Sequence, residues 1–76
     1  MTTQYLALRS VSNNHVHLIC RDGEFDSLPD EVRKQGPWQV LMRGEVDRLK
    51  LTYRAALARQ GYVLVDTPLA MFQPEA

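Results

Sequence analysis

Seventy-six residues with 45% apolar content set one small domain with enough hydrophobic material for a core, and they exclude wholesale disorder. Nine acidic and nine basic residues cancel to a formal charge of zero, which removes the simplest case for nucleic acid, a basic excess that displaces counterions. A single cysteine excludes an intrachain disulfide and fits a reducing, cytoplasmic setting.

The start of the chain has no charged region followed by a long apolar core, so no signal peptide is expected. The longest apolar runs, such as 62–65, are far short of the roughly 20 residues that span a bilayer. A chain of this size buries only about 60–65% of its surface and is marginally stable alone. Self-association is therefore a natural expectation.

Residues 4–11 and 15–20 read as two strands joined by a turn at Ser12, Asn13 and Asn14. Asparagine tolerates the left-handed region, and Asn14 is the residue expected there. Side-chain parity sets the register. Pairing Leu8 with Leu18 and Leu6 with Cys20 gathers Leu6, Leu8, Val16, Leu18 and Cys20 on one face. The other face then carries Tyr5, Ala7, Arg9, His15, His17 and Ile19.

Asp22, Gly23 and Glu24 make a turn, and Phe25 returns the chain to the core. Ser27 opens a short helix as N-cap, with Pro29 in its first turn and Leu28 and Val32 as its buried pair. Gly36 and Pro37 stop it. Residues 38–43 alternate as a strand does. Trp38 and Met42 also extend a helical stripe, but a glycine inside a helix costs roughly 1 kcal/mol against alanine. A break at Gly44 is therefore expected.

From there the chain reads as a helix over 45–60 that stops at Gly61. Val46, Leu49, Tyr53, Ala56, Leu57 and Gln60 share one face. Gly44 serves as N-cap, and Glu45 and Asp47 suit the helix dipole. Gly61 provides a left-handed ending, with Tyr62 touching Leu57 in a Schellman contact. Residues 62–65 follow as a short apolar strand, expected to be covered on both faces. Two prolines and polar residues mark 67–76 as a flexible C-terminal tail, within which 69–72 offers a docking segment.

The expected fold is α+β, a single domain over 4–66 in the order ββαβαβ. Its mixed sheet would carry both helices on one face and a right-handed parallel crossover into the last strand. The face with Tyr5, Arg9, His15 and His17 would meet solvent or a partner.

Motifs for chemistry are sparse. His15 and His17 share a strand face and could chelate a metal, but two ligands are too few for a stable site, and Cys20 has the opposite parity. Cys20 lacks a histidine in reach and reads as a buried structural thiol. Asp22, Glu24 and Asp26 alternate without the glutamate that completes a calcium loop. No phosphate loop or nucleophile elbow is present. The expectation is no catalytic residue, no cofactor and no membrane contact.

Three functions remain. The leading one is a small non-catalytic protein-interaction module, a homodimer being one form of it. It rests on the spare seam of Leu51, Ala55 and Ala58, with Arg48, Arg54, His15 and His17 completing the candidate surface. The second is a nucleic-acid-binding regulator using the basic helix 45–60. There Arg48 and Arg59 lie on one side and Lys50 and Arg54 on another, so no single basic stripe forms. The third is a metal-binding protein around His15 and His17. Charge is also segregated. Residues 22–31 hold acids and no base, and 43–59 are mainly basic.

Overall fold

The structure, a computed structural model, describes residues 3–76. The chain forms β1 (Gln4–Ser10), β2 (Val16–Arg21), α1 (Asp30–Arg33), β3 (Trp38–Glu45), α2 (Leu51–Gln60) and β4 (Tyr62–Asp66), with 3-10 turns at Phe25–Ser27, Val46–Arg48 and Leu69–Met71. The regular elements thus follow the order ββαβαβ that the sequence predicts, and the class is α+β.

The strands form one sheet in the order β3-β1-β2-β4. Hairpin pairing is as parity requires, with Leu8 opposite Leu18 and Leu6 opposite Cys20. The turn is closed differently from the expectation. No described residue other than glycine has a positive φ, so Asn14 is not left-handed. Instead Asn13 Oδ1 accepts the His15 N–H at 3.1 Å and the Asn13 carbonyl accepts the Val16 N–H at 3.1 Å. The asparagine side chain mimics a backbone turn.

Every strand pairing is antiparallel. The expected mixed sheet and parallel crossover therefore do not form. β3 and β4 occupy opposite edges of the sheet, and the chain between them crosses the whole sheet rather than returning beside β3. β3 is irregular against β1, because the register shifts between Ala7 and Leu8. The extra residue is Leu41, and this bulge turns Met42 and Gly44 toward the face of Tyr5 and Ala7.

The helices lie on opposite faces, a second correction. Leu57 of α2 joins Tyr5, Ala7, Ile19, Leu49, Val63 and Phe72 in one core cluster. Val32 of α1, with Leu28, joins Leu6, Leu8, Leu18 and Cys20 in the other. The central strands β1 and β2 are consequently covered on both sides, and Tyr5, Ala7, Leu18, Ile19 and Cys20 have no exposed surface. Full burial of a leucine- or isoleucine-sized side chain contributes about 1.5–3 kcal/mol, so these strands hold the fold together.

α1 is anchored at its end. The Trp38 indole N–H donates to the Arg33 carbonyl at 3.0 Å, and the buried Ser10 hydroxyl donates to the Gln35 carbonyl at 2.6 Å. Ser27 does not cap α1; Pro29 occupies that position and no side chain caps it.

Gly44 is a strand residue, not a helix cap. α2 begins only at Leu51, after the 3-10 turn Val46–Arg48. Val46 and Leu49 still face the core because a 3-10 turn brings residues three apart onto one side. The end of α2 is as expected at Gly61, with φ 87° and its N–H bonded to the Leu57 carbonyl at 2.9 Å. That single bond is the simpler left-handed ending rather than a Schellman pair. Tyr62 turns to the other face and packs with the α1 cluster. β4 is an edge strand whose Leu64 is partly exposed, not a strand covered on both sides.

Residues 67–76 do not hang free as the sequence suggests. Phe72 is buried in the α2-side core. The Pro74 carbonyl accepts the Lys50 N–H at 2.9 Å, the Ala76 N–H donates to the Arg48 carbonyl at 3.1 Å, and Glu75 bridges to Leu49. The segment forms a strap across the sheet beside α2.

Candidate functional site

The inward side of α2 is fully used. Leu57 is buried, and Tyr53 and Ala56 are half-buried against the same cluster. The outward side carries Leu51, Ala55 and Ala58, all exposed, with Leu51 at 72%. Spacing of four and three residues places them in one line along the helix. Arg54 is exposed on the flank of this line, and Arg48 is exposed on the turn before the helix. The Lys50 ammonium stands 5.9 Å from the centre of the Tyr53 ring, close enough for a cation–π contact. The basic helix is therefore shorter than 45–60, and Arg48 and Lys50 precede it.

The histidine pair is split. His15 is exposed in the turn, whereas His17 has no exposed surface. The His17 ring stacks on Phe72 of the strap, with centroids 4.2 Å apart and planes 15° apart. Neither ring nitrogen has a hydrogen bond of normal geometry. Burial holds the His17 pKa below the ordinary histidine value; the His15 backbone acts against this, and the Arg9 and His15 charges add to it. A chelating pair on an open face is thus replaced by one solvated ring and one ring under cover. Among the described residues no group of three or more His, Cys, Asp and Glu side chains converges.

His17 belongs to a row running across the sheet from Gln39 through Arg9 and His17 to Val65. Arg9 Nη2 donates to Gln39 Oε1 at 2.8 Å. Arg9 Nε, like the His17 nitrogens, is buried without a partner.

Two rows along the same face, past Ala7 and Ile19, Tyr5 packs against Gly44. A Cβ at Gly44 would stand 2.7 Å from Tyr5 Cε2 and 2.9 Å from Glu75 Oε1. Only glycine lets the phenol and the strap carboxylate approach β3 this closely. The Tyr5 hydroxyl donates to the Met42 sulfur at 3.9 Å. Burial, with the Glu75 carboxylate beside it, pushes the Tyr5 pKa up to about 12, so the phenol stays neutral and is no general base. An open cleft of about 280 Å³ runs between Met42 and the strap residues Phe72, Gln73, Pro74 and Glu75. It offers one carboxylate and no paired acid and base.

Cys20 is fully buried on the opposite face. Burial, then Glu24 and Asp22, raise its pKa to about 11, which leaves an unreactive thiol. Sequence reasoning named 69–72 as a segment able to dock, but missed the pairing of 74–76 with 48–50 and the covered row beneath. The available signal was Phe72, a large aromatic among apolar neighbours in a segment otherwise polar and proline-bearing.

No protein-family model, curated protein or solved structure shows significant similarity to this chain.

Proposed function

We propose that the protein is a small non-catalytic module acting through protein contacts, self-association among them, with the outer face of α2 as the contact surface. The observation that carries this reading is Leu51, 72% exposed at the head of a line with Ala55 and Ala58. The small residues let another backbone come close, and Leu51 supplies the anchor. Two leucines buried across a two-fold interface contribute about 3–6 kcal/mol, short of the roughly 8 kcal/mol of micromolar binding. The seam alone thus supports a weak, concentration-dependent contact. Sedimentation velocity over a concentration series tests it. The mass should rise in the wild type and not in Leu51→Glu; a monomeric mass throughout removes self-association.

A second reading, binding of nucleic acid by the same helix, is favoured by Arg54 and Arg59 standing on α2 with no acid between Leu51 and Gln60. Its mark would be an affinity that falls steeply with salt. We place the protein in the cytoplasm because its one thiol is unpaired. No helix among the described residues is long and apolar enough to cross a membrane.

A further inference from the structure

We propose that the C-terminal strap is an acid-released cover, with protonation of His17 unseating Phe72 and freeing 72–76 from the sheet. The proposal is independent of the contact surface on α2.

The geometry sets a conflict that only one proton needs to trigger. His17 is wholly buried, its ring face is taken by Phe72, and neither nitrogen has an aligned partner. A neutral ring tolerates this at modest cost. A charged ring does not, because an unpaired buried charge is far more expensive than an unpaired dipole. The His15 backbone offers the charged ring partial support, but no acid is among the groups that act on it. β1 presents Arg9, its direct cross-strand neighbour, and β4 presents Val65. β3 reaches the row only through the neutral Gln39. The turn before β2 contributes His15, another potential cation, and the strap contributes Phe72. The strap's one acidic side chain, Glu75, is committed over Gly44 and Tyr5. Asp66 stands opposite Val16 on the far side of the sheet.

The cover is also the element easiest to lift. Beyond Phe72 it is tied down by two backbone hydrogen bonds, to Lys50 and Arg48, and the short bridge at Leu49. Lifting it hydrates His17 without breaking a sheet pairing. The folded, closed state holds the His17 pKa below the ordinary value near 6.5. The open strap therefore binds the proton first. Closure is fully stable above that value and weakens as pH falls below it, until the closed state protonates too. With one proton coupled, the closing equilibrium falls up to about tenfold per pH unit in that window.

Amide hydrogen exchange on the full chain, expressed as protection factors, reads this directly. Protection of the Lys50 and Ala76 amides should fall by up to about tenfold per pH unit below roughly 6.5, while the Ala7 and Ile19 amides of the central strands keep theirs. His17→Leu should abolish the fall, and Glu75→Gln should retain it. The wild type alone also decides, should the leucine variant not fold. The His17 ring signals must titrate over the same pH range as the strap amides lose protection. Strap and central amides weakening together, an acid response surviving in His17→Leu, or one lost in Glu75→Gln would each overturn the proposal.

Discussion

The Arg21 guanidinium on β2 donates a 2.9 Å hydrogen bond to the Leu57 carbonyl in the last turn of α2. It adds a second bond to a carbonyl that also accepts the Gly61 N–H, and it brings positive charge to the negative end of the helix dipole. The same guanidinium lies 3.6 Å from Glu24. One side chain thus ties the centre of the sheet to the helix on one face and to the acidic turn after β2. Arg21→Ala should cost about 1–2 kcal/mol, the lower part of the range for a charged hydrogen bond because the group is partly solvated. Urea unfolding checks this. The midpoint should fall with the slope unchanged, and an unmoved midpoint would show the bond to be idle.

Gly44→Ala places a methyl group against the ring and hydroxyl of Tyr5 and against Glu75. Glu75 can swing aside, but Tyr5 is fully buried and cannot. Overpacking of this kind costs about 1–3 kcal/mol. Thermal unfolding of the variant should show a clear drop in midpoint, accompanied by weaker protection at the Lys50 amide as the strap is pushed off. Unchanged stability would mean that Tyr5 does not lie where described.

Cys20 should resist thiol reagents in the native protein. Its sulfur is buried and its pKa is raised to about 11, so both access and thiolate fraction are low at neutral pH. Labelling should proceed only as fast as the protein opens, and mild urea should accelerate it in step with loss of structure. Rapid stoichiometric labelling without denaturant would contradict the packing of α1 and Leu28 over β2.

Local signals in the sequence were legible where one residue type has one physical meaning. The hairpin register follows from parity, since a slip by one residue turns every side chain to the wrong face. Gly61 stops α2 because its backbone needs a positive φ. The strand at 38–43 was legible because Gly44 argues against one long helix, although the strand runs on through Gly44 to Glu45.

Long-range arrangement was not legible. Leu28 and Val32 announce a buried pair but do not say which sheet face buries them. Nothing local in 38–45 states that β3 pairs with β1 at one edge while β4 pairs with β2 at the other. The continuous apolar runs Tyr5-Leu6-Ala7-Leu8 and Leu18-Ile19-Cys20 are the mark of strands covered on both sides. That mark belonged to β1 and β2, whereas β4 is an edge strand.

His17 shows the same difficulty at the candidate surface. Its parity with Arg9 and Tyr5 suggests a solvated face, yet the distant Phe72 stacks on it and the ring is buried. Leu51, Ala55 and Ala58 were legible as a spare face because helical periodicity alone opposes them to Leu57.

The contact surface itself is tested most directly by amide chemical-shift mapping of the wild type over a concentration series. Shifts growing with concentration and centred on Leu51, Ala55 and Ala58 are expected, with the α1 face silent. A series in which those three amides stay fixed while β3, β4 or α1 moves would contradict the assignment of α2 as the contact surface.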